Sequence, residues 1–396
     1  MLADQFVSSW EELVNFDRLR DYRVKRVKAA LAEKDLDALI LFKSDNIRYA
    51  TSLRPLIWEA GYQTRNMAIV VRDGSMCLFV ASGDYQRVIQ NDPWLKHVKP
   101  LASMEDAGIS EKVVNDKFIP ELKEMRLSQS RLGVDATTFY TIEFLRKAIK
   151  GGGGELVEGD EVMRKARAIK SPDEVRLIQT AAGIVDGGLY HASSAIDRLP
   201  TENVVAGAGL RAIYGLGTEW MPINPVVFSG NRPFRRFATE KKIARGENVV
   251  VNLSAMNDGY CAEETRTFVA GKASGRSSLR STLRGIYNSL SLKLVTGARV
   301  GDIFSSFKGD APRGTEAFLS IRGAGLSLTD DPLAENAEEG ADQRLLENMV
   351  LVLEARLESK REGGGCAQFS DTILIGHAGP RFLTRFQEDQ PRANGE

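Results

Sequence analysis

The sequence contains few cysteines, no surplus of either charge and no long apolar run. Its three cysteines, Cys77, Cys261 and Cys366, are too few and too far apart for a disulfide framework, which fits a reducing cytoplasm. Lys+Arg and Asp+Glu number 53 each, so the chain offers no basic surface for nucleic acid or an anionic membrane. No apolar stretch approaches the roughly 20 residues that span a membrane, and residues 1–16 lack an apolar signal-peptide core. We therefore expect a cytoplasmic protein without nucleic-acid or membrane partners.

Histidine is also scarce, since only His97, His191 and His377 are present. Any mechanism that moves protons through an imidazole must use one of these three residues. His377 follows a predicted strand in a Gly-His-Ala-Gly loop that is typical of a turn, and the other two lie outside any catalytic motif.

The chain is long enough for two domains, and its 43% hydrophobic and 27% charged residues are typical of a globular protein. The N-terminal part alternates helix and strand, with a helix over 17–34, a strand over 35–42 and a hairpin over 67–81 that turns at Asp73-Gly74. These elements predict an α/β domain over residues 1–167.

The second part begins with a strong helix signal. Ser171-Pro172-Asp173-Glu174 supplies an N-cap, a proline in the first turn and early acids. Helical patterns follow over 173–198 and about 275–296, and the strands lack the spacing of βαβ units. We therefore predict an antiparallel sheet with packed helices over residues 168–396.

Residues 248–268, NVVVNLSAMNDGYCAEETRTF, have the layout of a two-stranded metal-binding hairpin. A β-branched run leads to an Asn-Asp-Gly turn, and a second strand carries Thr265 and Thr267. A dinuclear metal site of this type needs acidic ligands on both strands, but the first such position holds Asn252. Further on, where a metal-binding histidine would be expected, the chain has Arg322.

These features, with several other segments in the same order, resemble the creatinase, prolidase and methionine aminopeptidase ("pita-bread") family over nearly the whole chain. The segments are LDALILFKSDNIRYATSLRP, RAIKSPDEVRLIQTAAGIVDGG, FSGNRP, GENVVVNLSAMNDGYCAEETRTF, IRGAGLSL, NMVLVLEARL and FSDTILI. The resemblance implies an α/β N-terminal domain followed by an α+β pita-bread C-terminal domain.

The resemblance also implies five metal-ligand positions, which in the peptidase members hold two Asp, one His and two Glu. In this sequence they hold Asn252, Glu263, Arg322, Glu354 and Ser370. Two carboxylates are fewer than hard cations prefer, and the arginine would place a permanent positive charge beside them. We therefore expect no bound metal and no cofactor.

Creatinase itself works without metal and uses a histidine as proton shuttle, a position that is Arg235 here. Arg65 matches an N-terminal-domain arginine that in creatinase holds the substrate carboxylate across the dimer interface. The resemblance thus implies a homodimer whose N-terminal domain contributes to the partner's site. An ordinary solvated arginine at the start of a strand is the alternative for Arg65.

From these positions we predict that Glu263 and Glu354 are catalytic, together with Arg322. One glutamate would act as base or nucleophile, with a pKa raised by the other acid, and the arginine would hold a carboxylate or an oxyanion. The predicted substrate-binding residues are Arg65, Arg235, Tyr260, Asn252 and Ser370. The alternative for the whole cluster is a structural network of salt bridges in an inactive site.

Three functions follow, in this order. The leading hypothesis is a metal-independent hydrolase, or a lyase, that cleaves a C–N bond of a small amino-acid-like or carboxylate substrate. The second is a catalytically inactive pita-bread protein that binds or interacts with other molecules. A metallo-aminopeptidase or Xaa-Pro dipeptidase ranks third.

Overall fold

The computed structural model of the protein describes residues 13–55, 64–230, 237–271, 278–361 and 364–386. The chain folds as two compact units. One comprises Asn15–Arg167, and the other comprises the described residues from Ala168 onward together with residues 13–14. None of the helices over these described ranges is both long enough and apolar enough to cross a membrane.

The N-terminal unit has a mixed sheet of six strands in the order β4-β3-β2-β1-β5-β6. The strands are β1 (Ala38–Leu41), β2 (Met67–Val71), β3 (Met76–Ala81), β4 (Val98–Leu101), β5 (Arg131–Val134) and β6 (Glu155–Glu158). The helices are α1 (Phe16–Glu33), α2 (Ser44–Thr51), α3 (Tyr85–Asn91), α4 (Ala107–Val113), α5 (Ile119–Glu124), α6 (Phe139–Gly151) and α7 (Asp160–Ala168), with a π-helical turn at Val114–Phe118. The predicted α/β class of this part is confirmed.

Local sequence signals explain the first hairpin. β2 and β3 pair antiparallel and are joined at Asp73-Gly74, where Gly74 has a φ of 98° that side-chain-bearing residues rarely adopt. Apolar side chains such as Ile69 and Phe79 are completely buried in one core with Ile40 and Leu132 from the neighbouring strands. The predicted hairpin is therefore confirmed.

The C-terminal unit has an eight-stranded antiparallel sheet, in which seven strands follow the order β11-β10-β12-β13-β9-β8-β7 and β14 pairs with β13. The strands are β7 (Val226–Ser229), β8 (Asn248–Asn257), β9 (Tyr260–Val269), β10 (Thr315–Gly323), β11 (Asp330–Ala334), β12 (Val350–Ser359), β13 (Cys366–Gly376) and β14 (Gly379–Phe382). The helices are α8 (Pro172–Ile196), α9 (Glu202–Gly215), α10 (Ser278–Ser291) and α11 (Val300–Asp310). The antiparallel sheet with packed helices confirms the predicted class.

The start of α8 follows the sequence signal closely. The Ser171 side chain accepts a hydrogen bond from the Glu174 amide, and the Glu174 carboxylate accepts one from the Ser171 amide. This capping box satisfies two amide groups that would otherwise lack partners at the helix start. The Tyr260 hydroxyl donates to the other Glu174 oxygen at 2.8 Å and so ties the helix to β9.

The β8–β9 hairpin positions the site. Asp258 and Gly259 at its tip have φ values of 44° and 80°, the pair of positive angles that a two-residue type I′ turn requires. The turn fixes the register, which places Asn252 opposite Thr265. Because side chains alternate between the faces of a strand, Glu263 and Thr265 share one face of β9 and Glu264 shares the other with Arg266.

Candidate functional site

Antiparallel pairing brings the five predicted ligand positions to one face of the C-terminal sheet. Asn252 on β8 pairs with Thr265 on β9, Thr265 pairs with Ser370 on β13, and Ser370 pairs with Glu354 on β12. The other face carries apolar residues that form a core with α10 and α11, such as Leu353. The polar face is the candidate functional site.

A chain of hydrogen bonds joins the β8, β9 and β13 side chains. The Asn252 amide donates to Glu263 Oε1 and to Thr265 Oγ1, each at 2.7 Å. The Ser370 hydroxyl donates to Thr265 Oγ1, also at 2.7 Å. Asn252, Glu263, Thr265 and Ser370 are all buried, so the polar groups hold one another in place.

Arg322 on β10 lies between the two glutamates. Its Nη2 is 2.5 Å from Glu263 Oε2 and 3.3 Å from Glu354 Oε2. The Arg322 side chain is only 12% exposed, yet its Nη1 has no hydrogen-bond partner among the described residues. A buried N–H of this kind is costly to leave unpaired, so this atom is a natural donor to a bound ligand.

Gln368 on β13 completes the site from the Glu354 side. Its amide donates to Glu354 Oε1 at 2.9 Å, while its own Oε1 is buried and unpartnered within the described part of the chain. The sequence prediction missed this residue. The alternation of Gln368, Ser370 and Thr372 along one strand is the signal that could have revealed it.

Charge and burial set the protonation behaviour of the site. Burial raises the pKa of Glu354, the Arg322 charge opposes this shift, and the Glu263 charge adds to it. Burial lowers the pKa of Arg322, but the charges of Glu263 and Glu354 outweigh burial and raise its pKa overall. The arginine thus stays positively charged, whereas Glu354 takes up a proton more readily than an exposed glutamate.

A cavity of about 1020 Å³ borders Glu354. Ser320, Phe318 and Arg356 line it from the sheet, and Lys308 lines it from α11. The cavity has room for a small organic molecule. Glu354 therefore belongs both to the hydrogen-bonded network and to the wall of a space that can hold a ligand.

The five donor positions do not fit a dinuclear metal centre. They offer two carboxylates, one amide and one hydroxyl, and the fifth is a guanidinium that cannot donate an electron pair. The Arg322 cation already contacts an oxygen of each carboxylate, where a divalent ion would need to bind. The residues at these five positions therefore do not support a reaction step through a pair of metal ions.

Opposite the site, a second ionic group supports the same strands. Arg266 Nη1 donates to the backbone oxygens of Thr265 and Ser370, and its Nη2 donates to Asp371 at 2.6 Å. Glu264 also contacts Arg266, and burial raises the pKa of Glu264 well above its usual value. Arg266 is thus a positioning residue, since it holds the backbone that presents the site side chains.

The remaining predicted substrate-binding residues lie elsewhere or are engaged. Tyr260 is 1% exposed, and its hydroxyl donates to Glu174. Arg65 forms an ion pair with Glu105 at 3.1 Å within the N-terminal unit. Arg235 lies outside the described residues. The substrate-binding roles of these residues stay predictions.

The fold and the polar face of the sheet define a two-domain protein of the creatinase and prolidase type. Residues 23–169 match the Creatinase/Prolidase N-terminal domain, and residues 176–377 match Metallopeptidase family M24. The chain belongs to the M24 family.

Two relatives and one solved structure show the extent of the similarity. The chain is 25% identical to an Xaa-Pro dipeptidase of Pyrococcus horikoshii over 93% of its length and 98% of the relative. It is 24% identical to a dimethylsulfoniopropionate lyase DddP of Roseovarius nubinhibens, over 95% and 88% of the two chains. The crystal structure of a Thermococcus sibiricus prolidase, 19% identical, matches 93% of this chain and 98% of its own with a TM-score of 0.75.

These comparisons correct the leading functional hypothesis. The predicted metal-independent hydrolase or lyase of a C–N bond is contradicted, because the similar proteins include Xaa-Pro dipeptidases and the matching family is one of metallopeptidases. The prediction was based on the residues at the five predicted ligand positions, whereas the relatives match the chain over 93% of its length. The function that the sequence ranked third, Xaa-Pro dipeptide hydrolysis, is the one that the relatives favour.

Proposed function

We propose that the C-terminal unit binds short peptides of the Xaa-Pro class at the site formed by Arg322, Glu354 and Gln368. The ligand class comes from the curated relatives. The observation that carries the proposal is the unpartnered Nη1 of Arg322, whose other terminal nitrogen contacts Glu354, a residue that lines the cavity.

The charges of the site match those of a dipeptide. A free dipeptide carries an ammonium group at one end and a carboxylate at the other. Arg322 Nη1 is free to donate to the carboxylate, and charge-assisted bonds of this kind are among the stronger hydrogen bonds. Glu354 and the unpartnered Gln368 Oε1 can accept from the ammonium group. The peptide would therefore satisfy buried groups that the protein leaves unpaired.

Metal-dependent hydrolysis of Xaa-Pro dipeptides is the second candidate function. It is favoured by the relatives, which are similar over 93% of this chain, rather than by the donor set. The two candidates share the ligand and differ in turnover, so one series of measurements separates them.

The test is calorimetric titration of Ala-Pro into the full chain, first with a chelator and then with Mn²⁺. We expect saturable binding in the chelator, weakened about tenfold or more by Arg322→Lys, because a charge-assisted hydrogen bond contributes about 1.5–3 kcal/mol. Amidation of the peptide C-terminus should weaken binding to the wild type and have a smaller effect on Arg322→Lys.

Arg381→Lys, at an exposed position on β14, is the matched control and should bind as the wild type does. If Ala-Pro does not bind at millimolar concentration under either condition, the proposal is wrong. Release of proline that requires Mn²⁺ would instead establish the second candidate.

Two further features are retained as proposals from the sequence. A homodimer is supported by the resemblance to creatinase, in which an arginine at the position of Arg65 reaches the partner. A cytoplasmic location is supported by the three cysteines, which are all buried and form no disulfide with one another.

A further inference from the structure

Three side chains that commonly bind metals meet in the N-terminal unit, within one sheet-and-helix layer. Cys77 lies on β3, His97 directly precedes β4, and Glu121 lies on α5. Their donor atoms all lie within 4.8 Å of one another. The parallel pairing of β3 with β4 fixes two of them, because the Leu78 amide donates to the His97 carbonyl at 2.9 Å.

The Glu121 carboxylate is incompletely satisfied. Glu121 is 1% exposed, and its Oε2 accepts a hydrogen bond from Lys99. Its Oε1 lies 3.2 Å from His97 Nε2 but has no hydrogen-bond partner among the described residues. A buried carboxylate oxygen needs a partner, and the groups that face this one are the His97 imidazole and the Cys77 thiol, so a cation bound among the three would satisfy it.

The donor set has a specific chemical preference. Sulfur, imidazole nitrogen and carboxylate oxygen together are typical zinc ligands, whereas Mg²⁺ and Ca²⁺ prefer oxygen alone. Three protein ligands leave the fourth tetrahedral position for water. The His97 side chain is 41% exposed, so both the ion and the water can reach the cluster from solvent.

The surroundings determine how the thiol takes part. Cys77 is completely buried, and burial followed by the charge of Glu121 raises its pKa, so the free thiol keeps its proton. Zn²⁺ binds the thiolate, and binding therefore releases this proton to solvent. Lys99 donates a hydrogen bond to Glu121 Oε2. The other carboxylate oxygen, Oε1, faces His97.

We propose that Cys77, His97 and Glu121 form a zinc site in the N-terminal unit, with water as the fourth ligand. The site is separate from the proposed peptide site, because all of its residues belong to Asn15–Arg167. It would join β3, β4 and α5 and so stabilise this edge of the sheet.

The test uses the full chain after removal of metal with a chelator. Zn²⁺ affinity and stoichiometry are measured by competition with a chromophoric chelator, and Co²⁺ replaces Zn²⁺ for spectroscopy. We expect one equivalent of Zn²⁺, a Co²⁺ spectrum with a thiolate charge-transfer band, and a rise in Tm when Zn²⁺ is added. Cys77→Ser should remove the band, and His97→Ala should lower the affinity by about tenfold or more.

Cys366→Ser is the matched control, because Cys366 is also a free, buried cysteine but lies on β13 in the other unit. It should bind Zn²⁺ as the wild type does. His97→Ala is the variant expected to fold normally, because the His97 side chain is 41% exposed and contributes little to the core. A loss of Zn²⁺ affinity in this variant therefore reports on the site and not on misfolding. The proposal is overturned if the wild type binds no Zn²⁺, or if Zn²⁺ binding is unchanged in both Cys77→Ser and His97→Ala.

Discussion

Arg322 is the residue that most distinguishes this site from a metal centre with carboxylate ligands. Its guanidinium contacts both glutamates, and it keeps its charge because their charges raise its pKa. A buried carboxylate pair without such a cation would repel itself or take up a proton. Arg322 therefore stabilises the folded site and also presents Nη1 for a ligand.

Replacement of Arg322 tests its structural role. We expect Arg322→Met to lower the free energy of unfolding by about 3 kcal/mol at pH 7.5, because one partner of a buried ion pair is removed. The loss should be smaller at pH 5.5, because a larger fraction of Glu354, whose pKa is raised, is protonated at the lower pH and repels Glu263 less. Urea unfolding at both pH values measures the effect.

Arg381→Met, at an exposed position in the same unit, should change stability little. If Arg322→Met is as stable as Arg381→Met at pH 7.5, the ion pairs with Glu263 and Glu354 do not support the fold.

The sequence predicted which residues would meet but not how they would bind one another. The sequence placed Glu263, Glu354, Arg322 and Arg235 at one site. Arg322 contacts both glutamates, whereas Arg235 lies outside the described residues. The alternation along β13 indicates that Gln368 shares a face with Ser370, but its contact with Glu354 depends on the long-range register of β12 and β13, which no local signal specifies. The unpartnered atoms of the site likewise follow from packing and have no sequence pattern.

Helix α8 was the element whose start the sequence predicted best. Ser171, Pro172 and Glu174 act within one helical turn, so their effect is visible in four consecutive residues. The β8–β9 hairpin was predictable for the same reason, because the two adjacent residues Asp258 and Gly259 determine the type of turn that joins the strands. Helix α9 was not predicted from the sequence. In the structure its N-cap residue, Thr201, makes no side-chain cap bond.

The two helix starts form a matched pair for experiment. Ser171→Ala removes a cap bond and should lower the free energy of unfolding by about 1 kcal/mol. Thr201→Ala changes an N-cap that makes no side-chain cap bond, so its effect should be much smaller. Thermal or urea unfolding of both variants gives the comparison, and equal losses would show that the capping box of α8 contributes nothing specific.

At the level of the whole chain, the fold was predictable and the function was not. The α/β class of the first unit and the antiparallel sheet of the second follow from hydrophobic periodicity and turn signals. The pita-bread fold was implied by the family resemblance, and the family matches agree with it. Function depends on a few side chains, and the residues at three predicted ligand positions, Asn252, Arg322 and Ser370, led the prediction away from the activity of the relatives.

Buried carboxyl groups also give the chain a characteristic dependence on pH. Among the described residues, five buried or partly buried carboxyl groups have a raised pKa, namely Asp92, Asp135, Asp186, Glu264 and Glu354. An acid with a raised folded-state pKa binds more protons in the folded than in the unfolded chain. Its contribution to stability is therefore fully present below the unfolded pKa and is lost as the pH rises through the folded pKa.

Asp135 allows this to be tested for one residue. Burial raises its pKa from 3.8 to about 7, against hydrogen bonds from Asn46 and from the amides of Phe42 and Lys43, which lower it. The difference in unfolding free energy between the wild type and Asp135→Asn should fall by about 3 kcal/mol from pH 4 to pH 7, since each pKa unit corresponds to about 1.4 kcal/mol and Asp135 is half-ionised near pH 7. Asp160→Asn is the control, because Lys43 helps to lower the pKa of Asp160 and its contribution should be constant over this range. Urea unfolding at half-unit pH intervals measures both differences, and a constant difference for Asp135→Asn would mean that Asp135 is ionised throughout.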